Sequence, residues 1–307
     1  MSKTRIKNFF HYNWHFGDRY DGWRVRKMDT VFRVIPYFLR TRIDAQNFFE
    51  ERVPIDYIET FIKDHKEEMP DLSIMHIVLA SLVRIISQRP HLNRFVVWNK
   101  LFARNHLNIA LVVKRSLTDE GEETLIKPEF ALEDTLQDVV RKVREELDKN
   151  QKTGQQNGSD KVSKYLGLLP DFLLRTVVFF LYWTDKVGLL PKLIYRVSPW
   201  HSSVFLTNIG SIGVESIYHH LYEFGTCSMF VAMGKKSRAN LLDPDGEINT
   251  TKSIMLKFVL DERICDGFYY ASSMRMLNKI LADPSVLLVP PQTVVIDTGV
   301  GRKPADI

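Results

Sequence analysis

The sequence predicts an α/β domain built on a mixed sheet. Three observations carry that expectation. Short apolar runs of strand length recur along the chain, at Leu107 to Lys114, Ser203 to Asn208, Cys227 to Gly234 and Ile254 to Leu260. Segments with helical apolar spacing lie between them, and the connections are long. Interleaving of that kind argues against a helical bundle or an all-β barrel. The 307 residues suffice for one large α/β domain or two smaller ones, with a substantial core.

Taken in order, residues 1–28 are aromatic and basic, with Trp14 and Trp23, and read as an N-terminal arm that packs on something, such as a neighbouring subunit. Asp29 to Arg42 has helical spacing interrupted by Pro36. Ala45 to Arg52 reads as a strand, and Pro54 to Glu68 as a helix opened by a first-turn proline. Ser73 caps a strong helix, Ile74 to Gln88, with Ile77, Ala80, Leu82, Ile85 and Ile86 on its apolar side, and Pro90 stops it. Phe95 to Asn99 and Leu107 to Lys114 read as strands around a polar connector. Leu132 to Asn150 is an amphipathic helix, and residues 151–161 form a polar flexible stretch. Residues 165–197 are the most hydrophobic part of the chain. Arg175, Asp185, Lys186, Pro170 and Pro191 interrupt them, so they do not make a membrane-spanning helix. After two buried strands and Ile254 to Leu260, Phe268 to Leu281 has helical spacing, with Tyr270, Met274, Leu277 and Leu281 on one side. Residues 291–307 form a tail.

Composition is globular, with 45% hydrophobic and 26% charged residues. The net charge of +5 is spread without a Lys/Arg run, which argues against nucleic acid as a partner. Two cysteines, Cys227 and Cys265, neither frame a disulfide scaffold nor make a metal site, and they point to the reducing cytoplasm. Asp243-Pro244-Asp245-Gly246 lacks the glutamate of a calcium loop and reads as a turn.

The chemistry concentrates in residues 261–267, Asp-Glu-Arg-Ile-Cys-Asp-Gly, a polar loop between a strand and a helix. This loop resembles the His-x-x-x-Asp-Gly motif of the chloramphenicol acetyltransferases and of the acyltransferase subunits of 2-oxoacid dehydrogenases. Asp266 and Gly267 match the motif's end, and Glu262 stands where the family has its histidine. Val204-Phe205-Leu206-Thr207-Asn208-Ile209-Gly210 is similar to the family's hydroxyl-bearing strand and turn, with Thr207 at the serine position and Asn208 after it. The interval between Thr207 and Glu262, 55 positions (262 − 207), is close to the family's own. Pro90 to Asn93 resembles its Pro-x-x-Asn turn, and the likeness covers most of residues 29–290.

The resemblance implies a chloramphenicol acetyltransferase-like fold: a mixed-sheet α/β (α+β) sandwich with packed helices, assembled as a homotrimer with its site between subunits. It implies acyl transfer from a coenzyme A thioester to a hydroxyl, amine or thiol of a small acceptor, without a metal. The dehydrogenase subunits carry lipoyl domains, and none is expected here, since no such domain is read before residue 30. In such a site the base takes the acceptor's proton, and the hydroxyl residue donates to the oxyanion. Thr207 takes the second part. Asp266 supports the loop by holding an arginine, with Arg33, Arg40 and Arg42 as the alternatives, and Gly267 allows the turn into the helix. Glu262 is the departure. A carboxylate at its ordinary pKa, about 4.3, is a poor base unless burial or a nearby charge raises it. It serves as an altered base, or, paired with Arg263, it leaves an inactive binding or scaffold protein. His219 and His220 are the alternative bases. Their other reading is structural, as adjacent strand-end histidines on opposite faces. His201 and Cys265 read as packing residues. Residues 165–197 have no counterpart in the dehydrogenase subunits, and read as extra core, a lid over an acyl channel or, as a lesser reading, a membrane-surface contact.

Overall fold

The computed structural model describes residues 15–114, 123–152, 158–242 and 245–301. Trp14, the centre of the polar stretch, residues 243–244 of the acidic turn and residues 302–307 of the tail lie outside them. The elements run β1 (Gly22–Arg24), α1 (Thr30–Phe38), β2 (Gln46–Pro54), α2 (Asp56–Asp64), α3 (Ile74–Gln88), β3 (Arg94–Val97), β4 (Lys100–Arg104), β5 (Leu107–Lys114), β6 (Glu123–Ile126) and β7 (Glu129–Phe130). Then come α4 (Leu136–Lys152), α5 (Gly158–Gly167), α6 (Asp171–Lys186), α7 (Lys192–Val197), β8 (Val204–Asn208), β9 (Met229–Met233), β10 (Ser237–Leu242), β11 (Ile248–Asp261) and α8 (Gly267–Ala282).

The expected mixed sheet is present. Its strands run β2-β11-β9-β8-β5-β6, and β10 continues the β9 edge along the first half of β11. The pairs β5–β8 and β8–β9 are parallel and the rest antiparallel. Strand alternation separates two faces. Val204, Leu206, Val231, Phe258 and Leu260 point into the main core, against α2, α3, α4 and α8. Ala110, Phe205, Phe230 and Val259 point the other way and are covered by Leu221, Tyr222 and Cys227 of the irregular segment after β8.

Four features differ from the sequence reading. The polar connector after Asn99 is a strand, β4, paired with β3 and β1 in a second, three-stranded sheet. Trp98 and Asn99 form the tight turn at positive φ, 48° and 58°, without the glycine that usually signals it. The N-terminal arm is shorter than expected, because β1 joins that sheet and Trp23 is buried in the chain's own core. The C-terminal tail packs back as far as Gly301. Asp297 accepts two hydrogen bonds from the buried Arg94 guanidinium, at 2.6 and 2.7 Å. Pro54 ends β2 instead of opening α2.

α3 begins where Ser73 predicts, but the Ser73 hydroxyl meets His76 Nδ1 at 2.8 Å instead of capping a backbone amide. Burial lowers the His76 pKa from 6.5 to about 4. The unfolded chain therefore takes up this proton first as pH falls, and folding stability drops between about pH 6.5 and pH 4 by at most about 3 kcal/mol. Urea melts across that window should show the loss, and His76→Gln should flatten the profile there.

Candidate functional site

β11 ends at Asp261, and the next five residues turn the chain into α8. Glu262 is fixed through its backbone, its N–H donating to Ala45 O at 2.9 Å. Among the described residues its half-buried carboxylate has no hydrogen-bond or ion-pair partner. Arg263, a residue expected to neutralise it, is committed elsewhere. Its guanidinium donates to both carboxylate oxygens of buried Asp261, at 2.8 and 2.7 Å.

Asp261 does the work that the resemblance gave to Asp266. Of the three candidate arginines, Arg42 is the one at the loop, with Nε 3.7 Å from Asp261 Oδ2. The same guanidinium donates to the carbonyls of Tyr222, Glu223, Gly225 and Val96. One buried arginine thus joins the loop, the β3 strand and the segment carrying the histidines. Asp266 is exposed and makes no arginine pair among the described residues. It caps α8 instead, accepting from Tyr269 N–H at 2.7 Å, as a helix N-terminus favours. The requirement expected for Gly267 is absent too, since a Cβ there would meet nothing within 4 Å. Glycine is needed at Gly210, where a Cβ would lie 2.4 Å from Gly234 O.

Thr207 is the last but one residue of β8 and shares the Phe205 face of the sheet. Its hydroxyl has no partner among the described residues, so it is free to donate. Asn208 holds the following turn by accepting from Ser211 N–H at 3.2 Å. Beside this turn lies an open cavity of about 350 Å³, lined by Asn208, Gly210, Ser211, the start of α3, Lys235 and Lys236.

The register sets Thr207 and Glu262 apart within one chain. Thr207 is level with Ala232, and Ala232 with Lys257, five residues (262 − 257) before Glu262. At about 3.3 Å per residue, with two interstrand spacings between β8 and β11, the two lie roughly 15–20 Å apart.

His219 and His220 are not on a strand, and their rings do not point to opposite faces. The segment is irregular, and the rings stack on each other at 4.7 Å. His219 also stacks on Phe230 at 4.1 Å, and Phe230 pairs with Phe205, two residues from Thr207. His219 and Thr207 therefore share one sheet face in the same chain. Partial burial lowers the His219 pKa below 6.5, which keeps the ring neutral and able to accept a proton at pH 7.

His91, inside the Pro90 to Asn93 turn, carries no chemical motif in the sequence. Its ring stacks on Tyr269 at 4.5 Å, beside the α8 cap, and burial lowers its pKa to about 4. Cys265 is buried and its thiol is pushed up to about 12, the state of a packing residue. His201 is wholly buried, between Ser198 Oγ at 2.7 Å and Asp185 Oδ1 at 3.3 Å. No group of three His, Cys, Asp or Glu suited to a metal occurs among the described residues.

Residues 201–289, from β8 through the loop and α8, match the family of 2-oxoacid dehydrogenases acyltransferase (catalytic domain). No curated protein matches the chain. Among solved structures, a probable dihydrolipoamide acetyltransferase of Listeria monocytogenes superposes with TM-score 0.52 at 11% identity, covering 83% of this chain and 93% of its own. The cubic core of a pyruvate dehydrogenase multienzyme complex gives TM-score 0.50 at 13% identity, over 84% and 89%. The dihydrolipoamide acetyltransferase of Azotobacter vinelandii, studied for a serine, a histidine and an asparagine in its catalytic mechanism, gives the same values. The chain resembles that acyltransferase domain and has its chloramphenicol acetyltransferase-like fold, as the sequence motifs imply.

Proposed function

We propose that the protein transfers an acyl group from a coenzyme A thioester to a hydroxyl, amine or thiol of a small acceptor, as a cytoplasmic homotrimer. The observation that carries this reading is the unpartnered Thr207 hydroxyl, at the end of the parallel strand β8 and within the matched family region. In the proposed step a base takes the acceptor's proton as the acceptor attacks the thioester carbonyl. Thr207 Oγ donates to the resulting oxyanion. Collapse breaks the C–S bond, and the proton returns to the departing thiolate.

The cavity beside Asn208 suits the phosphates of coenzyme A. Lys235 and Lys236 line it with the α3 N-terminus, whose amides favour anions. Both lysines now pair with glutamates, Glu215 and Glu59, exposed contacts that a phosphate can exchange.

Trimer assembly is supported by the gap between Thr207 and Glu262, which a neighbouring subunit would close by placing its own Glu262 loop against this chain's Thr207. A second reading of the base is supported by His219, on the Thr207 face of the same chain. Two buried thiols without a disulfide fit a reducing compartment.

The test is thiol release from a panel of acyl-coenzyme A esters, with and without amine and alcohol acceptors. Wild type should release thiol, and Thr207→Val should lower turnover about 100-fold with an unchanged melting temperature. No release from any ester by the folded protein would leave the inactive, scaffold reading standing.

A further inference from the structure

α6 is amphipathic in the inverse sense. Its inward side carries half-buried Leu174 and Leu181 and the buried Asp185, which is tied to Arg19 Nη2 at 2.8 Å. Its outward side carries Phe172, Phe179, Phe180 and Trp183, which are 69%, 57%, 59% and 45% exposed. Trp98, 55% exposed at the β3–β4 turn, meets Trp183 edge to face at 6.1 Å. Phe179 touches both Phe180 and Trp183, so these rings form one continuous surface. Five exposed aromatic side chains amount to apolar area on the order of 500 Å², which a soluble surface rarely leaves open without use.

Charge chooses the occupant. Between residues 164 and 190 the exposed ionic side chains are Lys164, Arg175 and Lys186 against a single acid, Asp171. Arg175 and Lys186, eleven positions apart (186 − 175), lie along one edge of the aromatic stripe. Aromatic rings flanked by long basic side chains fit the boundary between headgroups and acyl chains, where the rings enter and the cations reach anionic lipid. A twofold contact with a second copy fits less well, since it would lay this positive surface on itself, and a heterologous contact within a ring is one outcome of the test below. Spanning is excluded for α6: its 16 residues extend about 24 Å, short of a hydrocarbon core of roughly 30 Å.

We infer that the aromatic face of α6, with Trp98 beside it, docks in the interfacial layer of an anionic lipid bilayer. The inference stands apart from the acyl-transfer reading and does not depend on turnover. The full chain is tested by co-sedimentation with vesicles of phosphatidylcholine alone and of equimolar phosphatidylcholine and phosphatidylglycerol. The expected result is retention on the anionic vesicles, weakened by salt. Phe179→Ser with Trp183→Ser should lower partitioning at least tenfold, and Arg175→Gln with Lys186→Gln about tenfold on anionic vesicles. Lipids brominated along the acyl chain should quench tryptophan fluorescence, and Trp183→Phe should reduce that quenching. Absence of retention at low salt overturns the inference, as does equal retention of the aromatic variant. A wild-type oligomer that dissociates in the aromatic variant, without vesicle binding, assigns the face to contacts between copies and also overturns it.

Discussion

Asp261→Ala is expected to destabilise the protein by about 3–5 kcal/mol, with a melting temperature about 5–15 °C lower. The carboxylate is fully buried and faces two buried arginines, Arg263 in a two-pronged contact and Arg42 at 3.7 Å. Removing it takes the paired carboxylate from two buried cations and leaves them the weaker attraction of Glu223. The loss should spread beyond the loop, because Arg42 also holds the carbonyls at Tyr222, Glu223 and Gly225. Glu262→Gln, one residue away, is the internal control and should leave the melting temperature unchanged, since that carboxylate holds nothing. Equal melting temperatures for Asp261→Ala and wild type would show that the cluster does not fasten the loop.

The difference between those two neighbours shows what the sequence makes legible. Positions of elements could be read where local chemistry fixes them. Ser73 and Pro90 bracket α3, Asp266 and Gly267 open α8, and apolar runs mark β5, β8 and β9. β4 is hard to read because its hairpin turns on Trp98 and Asn99, where Asn99 suits a left-handed position but Trp98, at φ 48°, carries no turn signal and no glycine follows. The site divides the same way. Motif spacing picks out Thr207 and Glu262, but which carboxylate meets the arginines depends on side-chain direction after a strand ends. Asp266 sits exposed at a helix start, where a backbone N–H satisfies it, and Asp261 sits inside, where one backbone N–H is joined by the guanidinium groups of Arg263 and Arg42. That His219 lies on the Thr207 face comes from an irregular segment folding over the sheet, and no periodicity reports that.

The identity of the base is expected to separate into two measurable outcomes. If Glu262 of a neighbouring subunit is the base, Glu262→Gln should lower turnover by 10²–10⁴ with binding little changed. Glu262→His should then keep or raise activity, because imidazole has the better-matched pKa. Arg263 does not stand in the way, since its guanidinium is committed to Asp261. On this route only an assembled trimer is active, so dilution below its dissociation range should abolish turnover. If His219 is the base, His219→Asn should cause the loss, Glu262→Gln should leave turnover within about twofold, and activity should survive in the monomer. The pH profile separates them again. A His219 base gives a limb rising through a value below 6.5, since partial burial disfavours its proton, and that limb disappears in His219→Asn. Light scattering on the same samples decides whether the gap between Thr207 and Glu262 is closed by assembly. A monomer at micromolar concentration that still turns over leaves His219 as the one group of the two that shares the Thr207 face.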